Sequence, residues 1–419
     1  MLDRQSIAAN DFDPSAASLL DPPLTDVQCA MREGLHRFAA DVMRPAGCAL
    51  DRMTAEEVVQ KDSHFYATHE IYRSLGFSQA ALAELPPAEA ALLQSIAYEE
   101  LGWGDSGLAI SIGVNAMPAS VARLLGANEF AERFPETKFG CWAITEPDHG
   151  SDMLDSTRQT FASNGQYGRP SCLARKVGDE IVLSGQKSAW VSNGAVAEQA
   201  VLFSLYDDGR TGIRGCVLYV PLDAKGVARG KPLEKLGQRS LPQGEIFFDE
   251  VRLPANLIAA GPDEYHDALY GTLCLANASM GSLFVGVARA AFEHALAYAH
   301  ERKQGGVPIV QHQSVRSRLF GMYRKVEAAR ALARRVAVAN ATATQPALQG
   351  AIASKITATQ TAFEVASEAV QIFGGAGMSR EYPVEKLLRD ARASMIEDGC
   401  NELLAIKGGS QLTGWERLH

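Results

Sequence analysis

The sequence predicts an α+β chain of several domains, in which an N-terminal helical bundle, a β-barrel-like middle domain and a C-terminal four-helix bundle follow one another. Two observations predict this order. Apolar residues recur with a helical period from Thr25 to Leu125 and again after Pro262, whereas short apolar alternations bounded by Gly, Pro, Asp and Asn fill the stretch between. At 419 residues the chain also suits about two to three packed units.

The N-terminal part of the chain divides into a leader, residues 1–23, and a helical domain, residues 24–138. Small and polar residues with Pro22 and Pro23 predict a loosely packed leader, and Thr25 or Asp26 is a plausible cap of the first helix. The acidic pair Glu99-Glu100 is typical of a solvated helix end. His64 and His69 lie five residues apart, which misses the spacing of a helical metal pair, so they are expected to be surface or packing residues. Further helices are expected over residues 55–75, 87–101 and 109–125, the last with a break at Pro118.

The rest of the chain divides into a β-rich middle domain, residues 139–260, and a helical domain, residues 261–419. Short apolar alternations predict strands at residues 141–144, 180–183, 200–205, 215–220 and 245–248. Helical periods then predict a long apolar helix over residues 276–302 and two further bundle helices over residues 314–339 and 347–373.

Composition excludes several classes of protein. The net charge of -9, from 40 basic and 49 acidic residues, argues against nucleic acid or an anionic membrane as the main partner. Seven cysteines without a C-x-x-C pair indicate neither a disulfide framework nor a zinc site. The protein is therefore expected in a reducing cytoplasm and without a bound metal. No apolar run approaches the roughly 20 residues of a membrane span, and the first residues lack the pattern of a signal peptide.

Two stretches, residues 142–152 and 185–194, organise the middle of the chain. Both begin as apolar strand and end in turn residues, so each brings a hydroxyl and an indole to the mouth of a sheet. The hydroxyls belong to Thr145 and Ser192, and the indoles to Trp142 and Trp190. Such a mouth suits a planar, partly apolar ligand that forms hydrogen bonds. The alternative is a pair of β-hairpins with tryptophans in an ordinary core.

These two stretches resemble the flavin-binding segments of the acyl-CoA dehydrogenase family, T-E-P-x-x-G-S-D and G-x-K-x-W-I-[ST]-N-G. The first fits without a gap, and the second carries one extra residue between Lys187 and Trp190. Later stretches resemble further motifs of that family in the same order, and the resemblance covers nearly the whole chain from Thr25 to about Leu412. These stretches are residues 235–240, 247–254, 301–313, 371–377 and 382–391.

The resemblance implies a bound FAD whose ring edge lies against Thr145 and Ser192 and whose face lies near Trp190. It further assigns cofactor contacts to Trp142, Ile144, Gly150, Ser151, Cys400 and Glu402.

A second set of cofactor residues is implied to serve the flavin of a neighbouring subunit, so a homodimer or homotetramer is expected. Glycines in the loop after residue 373 would let backbone amides approach the pyrophosphate, although a Gly-Gly pair alone is equally typical of a helix C-terminus. Gly305 stands where the family has an aromatic residue. The set comprises Arg302, Gln371, Gly374 and Gly375, and Gln313 is assigned a cofactor contact as well.

The family oxidises the Cα–Cβ bond of an acyl thioester, and the resemblance implies that a carboxylate removes the α-proton. The commonest base is the Glu of an E-G-[TS] turn, and here Asp398 precedes the glycine. Aspartate is shorter by about 1 Å, a displacement that can cost on the order of 10²-fold in rate. Either Asp398 or the adjacent Glu397 is the base, or both merely cap a turn. The other base position, at Ala276-Asn277, holds no acid.

Several functions stay open on the sequence alone. The acyl group could be carried by coenzyme A or by an acyl carrier protein, and the family commonly passes electrons to an electron-transfer flavoprotein. Nitroalkane oxidases share the fold and use an aspartate base, and flavin monooxygenases of the fold need no acid there. A flavin-free scaffold is the alternative outside enzymes. Acyl chain length would depend on a pocket formed by residues 109–125 and 264–279.

Overall fold

The computed structural model describes residues 24–154, 169–210 and 212–414. The predicted leader, residues 1–23, lies outside this range. The N-terminal part of the described chain is helical. Its helices are α1 Asp26–Phe38, α2 Arg44–Leu50, α3 Ala55–Val58, α4 His64–Ser74, α5 Gln79–Ala83, α6 Pro87–Gly104, α7 Ser106–Asn115, α8 Met117–Leu124 and α9 Asn128–Arg133.

Local capping explains where these helices begin and end. Thr25 forms the capping box of α1 with Gln28, as one of the two predicted caps. The single helix expected over residues 55–75 was wrong, because Ser63 accepts a hydrogen bond from the Phe65 amide and starts α4 anew. Pro118 lies in the first turn of α8, where a missing N–H costs nothing, so the break falls at Ala116.

The middle of the chain forms one eight-stranded sheet. Its strands follow the path β6-β7-β3-β2-β4-β5-β8, and β1 pairs with β4 in parallel. The predicted strands are present, but the short strands β2, β6 and β8 were missed because their apolar alternation is too brief to register. The strands are β1 Gly140–Ala143, β2 Leu173–Val177, β3 Glu180–Lys187, β4 Gln199–Asp207, β5 Arg214–Pro221, β6 Val227–Arg229, β7 Ile246–Pro254 and β8 Ile258–Ala260.

Helices return after the sheet and confirm the predicted fold class of two helical parts around a central β-domain, although the predicted domain boundaries stay predictions. Gly305 and Gly306 both have positive φ, as a two-residue hairpin turn requires, which is a local reason for glycine in place of an aromatic residue. The elements are α10 Tyr265–Glu301, β9 Lys303–Gln304, β10 Val307–Pro308, α11 Gln313–Thr342, α12 Leu348–Phe373, α13 Val384–Ser394 and α14 Asn401–Thr413.

Helix α10 is the central helix of the molecule and packs against α6, α11 and α12. Two glycines bring α6 and α10 into backbone contact. A Cβ on Gly286 would lie 2.0 Å from the Glu99 carbonyl oxygen, and a Cβ on Gly102 would lie 2.0 Å from that of Leu283. Helix α10 is long and apolar enough to cross a membrane, but 83% of its most apolar window is buried inside the protein. Its apolar surface is therefore core.

The expectation that Glu99 and Glu100 form a solvated helix end was wrong. Both residues are only 3% exposed, and a ring of cations surrounds them. Glu99 accepts from Arg289 at 2.8 Å and Arg330 at 3.0 Å, and Glu100 accepts from Arg289 at 2.5 Å and His36 at 2.8 Å. Burial alone would raise the pKa of Glu100, but the Arg289 and His36 contacts outweigh it and lower that pKa to about 2.

This acid–arginine cluster should be the costliest ionic contact to break. Replacing Arg289 with Met leaves two carboxylates buried without their shared partner, so the free energy of unfolding should fall by about 3–5 kcal/mol. The matched control is Arg318→Met, which removes an exposed ion pair with Glu368 and should change stability by less than about 1 kcal/mol. Urea unfolding of both variants measures the difference, and equal losses would contradict the assignment.

Candidate active site

A buried ion pair anchors the first predicted site stretch to the sheet. The Lys187 ammonium, at the end of β3, donates to Glu146 at 2.8 Å and to the Ile144 and Phe203 carbonyls at 3.0 and 2.8 Å. Glu146 also accepts from the Cys172 amide at 3.0 Å. Burial would raise the pKa of Glu146, but Lys187 and the donated hydrogen bonds lower it. Because Lys187 contacts both Ile144 and Glu146, it fixes Thr145, which lies between them, at the rim of the sheet.

The two predicted stretches meet through Ser188. Its hydroxyl lies 2.9 Å from that of Thr145, and its amide donates to the Thr145 carbonyl at 3.0 Å. Ser188 occupies the stretch that is one residue longer than the family pattern. The sequence signalled the insertion but not its role, which is to join the hydroxyl of one stretch to the backbone of the other.

The two predicted indoles lie in unequal surroundings. The rings of Trp142 and Phe203 pack with their centroids 6.3 Å apart, and the buried Nε1 donor of Trp142 has no partner among the residues described. Trp190 is 62% exposed, which is unusual for the largest apolar side chain. The alternative of two ordinary core tryptophans therefore fails for Trp190. A buried orphan donor and an exposed ring face are both what a bound planar ligand would complete.

Gln243, which the sequence analysis missed, links the second stretch to the middle domain. Its amide donates to the Trp190 carbonyl at 3.0 Å and to the Ser192 hydroxyl at 3.3 Å. Its oxygen accepts from Lys235 at 2.8 Å. Burial lowers the pKa of Lys235 to about 7, despite the opposing charge of Glu397. The only signal for this link was Lys235, the first residue of the stretch 235–240 that resembles a motif of the family.

The turn that carries Glu397 and Asp398 lies between the rim and α12. Ser151 accepts a hydrogen bond from the Cys400 amide at 2.9 Å, so the first stretch contacts the turn directly. From α12, the buried Lys355 donates to the Gly399 carbonyl at 2.9 Å and to Asn401 at 2.8 Å. Nothing in the sequence singled out Lys355, which lies inside an ordinary helical period.

The two adjacent carboxylates differ in their contacts. Gln238 donates to the Glu397 carboxylate through its side-chain amide. Within the described residues, the Asp398 carboxylate makes no hydrogen bond and no ion pair. Burial, and then the Asp398 charge, raise the pKa of Glu397 to about 7, although Gln238, Lys235 and Lys355 oppose the shift. Burial also raises the pKa of Asp398, against the opposing effect of Lys355.

The backbone of this turn is unusual. Asp398 has a φ of 52° and Gly399 a φ of 92°, so two consecutive residues adopt the left-handed region. A non-glycine residue there stores strain that surrounding contacts must hold in place. The contacts from Lys355 and Ser151 do so, and the strained residue is the unbound carboxylate.

The second predicted set lies apart, on exposed surface of the C-terminal helices. Tyr298 stacks on Phe373 with ring centroids 3.9 Å apart, which brings the end of α10 beside the loop that begins at Gly374. Gly374 has a φ of 62°, and a Cβ there or on Gly375 would meet no atom within 4 Å. The exposed members are Arg302, Gln313, Gln371, Gly374 and Gly375.

The remaining predicted residues lie around the rim and turn. Ile144 is half-buried beside Thr145, Gly150 is exposed with open space about its Cα, and Glu402 is exposed in the first turn of α14. Asn277 is fully buried and donates to the Leu273 carbonyl at 3.0 Å, while its oxygen has no partner in the described part of the chain. No group of three or more potential metal ligands occurs among the described residues.

A cavity of about 240 Å³ lies between α4, α6 and α7. Its lining includes Tyr98, Ile112 and Gly113, so the predicted pocket stretch 109–125 contributes to it and the other predicted stretch, 264–279, does not. The buried His69 lines it too and bonds Ser111 at 2.9 Å, which confirms a packing role. Ser111 in turn donates to Asn193 at 2.7 Å, beside Ser192 of the rim.

These features define the class of the protein. The orphan Trp142 donor, the exposed Trp190 ring, the rim hydroxyls and the open glycine loops fit a dinucleotide with a planar ring, and the turn supplies carboxylates beside the rim. A central β-domain between helical parts with such a site is that of a flavin-dependent oxidoreductase.

Comparison with known proteins identifies the family. The model "Acyl-CoA dehydrogenase, middle domain" matches residues 141–251 and "Acyl-CoA dehydrogenase, C-terminal domain" matches residues 270–411. The probable acyl-CoA dehydrogenase YngJ of Bacillus subtilis (strain 168) is 31% identical over 76% of this chain and 81% of its own length. The chain belongs to the acyl-CoA dehydrogenase family, whose members bind FAD.

Solved structures share the whole architecture. Butyryl-CoA dehydrogenase from Megasphaera elsdenii superposes with a TM-score of 0.80 at 25% identity, over 94% of this chain and all of that one. Podospora anserina nitroalkane oxidase gives a TM-score of 0.80 at 20% identity, over 94% of this chain and 97% of that one. The second likeness shows the fold alone.

The hydrogen bond between Ser151 and Cys400 should control local opening of the carboxylate turn. Ser151→Ala removes the acceptor of the Cys400 amide, a loss of about 1 kcal/mol, so amide hydrogen exchange in the turn should accelerate about fivefold. Ser410→Ala, which removes a side-chain hydrogen bond to the Ile406 carbonyl within α14, is the control and should leave the turn unchanged. Unchanged exchange in Ser151→Ala would show that the contact does not hold the turn.

Proposed function

We propose that this protein dehydrogenates an acyl thioester at its Cα–Cβ bond, with FAD as cofactor and Asp398 as the base that removes the α-proton. The observation that carries this proposal is the contrast between two neighbouring carboxylates. Glu397 is held by Gln238, whereas Asp398 makes no hydrogen bond or ion pair within the described residues. A base must bring a lone pair to the substrate proton, and no donor among the described residues holds the Asp398 carboxylate away from it.

The environment of Asp398 suits proton abstraction from carbon. Burial raises the pKa of this carboxyl group, which strengthens it as a base, while Lys355 keeps the ionised form accessible. The shorter reach of aspartate is offset if the thioester lies closer to the turn. Partial burial also limits water around the reacting atoms, so electrostatic contacts act at low dielectric.

The rim residues would hold the cofactor. Thr145 and Ser192 would bond the ring edge, Trp190 would cover a face and Trp142 would use its orphan donor. Bound FAD supplies the acceptor for the hydride that leaves Cβ. Arg302, Gln313, Gln371 and the glycine loop at Gly374 and Gly375 would reach the cofactor of a neighbouring subunit, so we infer a homodimer or homotetramer.

We infer coenzyme A or an acyl carrier protein as the carrier of the acyl group and an electron-transfer flavoprotein as electron acceptor. Support for the thioester comes from membership of the family. All seven cysteines are free thiols, which supports a reducing compartment such as the cytoplasm.

A second candidate function is oxidation of a nitroalkane, and one observation favours it. The base position holds aspartate, as in the nitroalkane oxidases, whose fold this chain shares. A nitroalkane is a stronger carbon acid than a thioester and needs less help from the site. Flavin bleaching by a nitroalkane but by no acyl thioester would decide for this alternative.

Anaerobic flavin bleaching tests the base. The purified holoprotein should bleach with a member of a panel of acyl-CoAs and acyl carrier proteins, and Asp398→Asn should slow that step by at least about 10²-fold, because a neutral amide cannot accept the proton. The matched control Glu397→Gln should stay within about threefold of wild type. An Asp398→Asn protein that bleaches at the wild-type rate would refute the base assignment.

The pH profile of bleaching tests the role of Lys355. The rate should rise with pH as Asp398 loses its proton, and the positive charge of Lys355 places that rise at lower pH. Lys355→Met removes the charge, so the rise should move upward by about one pH unit or more. Lys355→Arg keeps the charge and should restore the wild-type midpoint. A profile that Lys355→Met leaves in place would exclude electrostatic coupling.

A further inference from the structure

We propose that Gln238 is a positioning residue that keeps Glu397 from serving as a second base beside Asp398. By donating to Glu397, its amide retains that side chain against the middle domain and leaves Asp398 as the proton acceptor. This inference rests on the proposed function and deepens it. The two residues are adjacent in the chain and both carry a carboxylate, and of these two Gln238 contacts only Glu397.

Gln238 is fixed well enough to act in this way. It is only 2% exposed, and its backbone amide donates to Asp390 at 2.6 Å. Lys386 holds the other oxygen of Asp390 at 2.6 Å. Gly237 packs so closely on α13 that a Cβ would lie 2.4 Å from the Arg389 carbonyl oxygen. Gln238 therefore cannot shift without moving α13.

The backbone of Gln238 also indicates a special role. Its φ of 49° lies in the left-handed region, which glutamine rarely adopts. Such strain persists only where surrounding contacts impose it, and it concentrates at functional sites. Here the strained backbone aims a buried amide at the one carboxylate that must be held.

The hydrogen bond holds Glu397 in both of its protonation states. Either form of a carboxyl group offers an oxygen lone pair, so the donor of Gln238 stays bound when Glu397 titrates. The charged groups around Glu397 are Asp398 in the turn, Lys235 in the loop before β7 and Lys355 on α12. None of these three forms a hydrogen bond with Glu397 within the described residues, so Gln238 is its restraint.

Removal of the restraint should release a second base. A freed glutamate is one methylene longer than Asp398 and has one more rotatable bond, so it can sample positions that the hydrogen bond to Gln238 denies it at present. While Asp398 is present, the rate of flavin bleaching should change little, because the aspartate still accepts the proton. Without Asp398, the freed Glu397 is the only carboxylate left in the turn.

The first arm of the test needs neither substrate nor turnover. Infrared difference spectra of the holoprotein across pH would follow the protonated carboxyl group of Glu397, identified by its loss in Glu397→Gln. The Gln238 donor favours the ionised form, so Gln238→Met should move the midpoint to higher pH. Gln360→Leu removes an exposed glutamine-to-glutamate hydrogen bond and serves as the matched control. Identical midpoints in wild type and Gln238→Met would overturn the restraint.

The second arm measures rescue by anaerobic bleaching with the acyl thioester that bleaches wild type. Gln238→Met/Asp398→Asn should bleach at least about tenfold faster than Asp398→Asn alone, because a mobile carboxylate can recover part of a general-base contribution of about 10²-fold or more. Adding Glu397→Gln should abolish the recovery, and Gln360→Leu/Asp398→Asn should show none. A double variant no faster than Asp398→Asn would overturn the proposal.

The outcomes separate this proposal from the one on which it rests. If no acyl thioester bleaches wild type, the proposed function fails and the choice of base fails with it, while the infrared arm still decides the restraint. If Gln238→Met does not fold, Gln238→Asn is measured instead. Asparagine tolerates the left-handed backbone, and its shorter side chain withdraws the donor from Glu397.

Discussion

The buried ammonium of Lys355 is the contact on which the site depends. It joins the core of α12 to the turn that carries both carboxylates, through the Gly399 carbonyl and Asn401. A lysine in this position loses its hydration, and burial lowers its pKa to about 8 although both carboxylates favour its charged form. The same charge that holds the strained backbone therefore also keeps Asp398 ionisable, so geometry and acidity of the turn have one origin.

The carboxylate turn is held by contacts from distant parts of the chain. Ser151 contacts the turn from the loop after β1, Gln238 from the loop before β7 and Lys355 from α12. Each contact is a hydrogen bond of fixed direction, so the turn has little freedom once the three parts are packed. This explains how a left-handed aspartate can persist in the native state.

The sequence predicted the fold class and the principal strands and helices, because hydrophobic period and turn residues are local signals. It predicted the contacts of the rim less well. Thr145 and Ser192 were named, but Ser188 and Gln243, which bind them, were not, since hydrogen bonds between distant loops leave no periodic trace. Glu99 and Glu100 show the same limit. Two adjacent acids predict a solvent-exposed site unless the arginines that pair with them are known. Arg289 and Arg330, which form these ion pairs, are far away in sequence.

The backbone contact between α6 and α10, at Gly102 and Gly286, constrains how this architecture can vary. Because neither position has room for even a methyl group, a larger residue at either position would force the two helices apart, so their close spacing requires glycine at both. A variant that keeps both glycines keeps this spacing, and it can still exchange the side chains of α4 and α7 that line the adjoining cavity. In an evolving family, such a pair of glycines would keep the spacing of two helices constant while the side chains around them diverge.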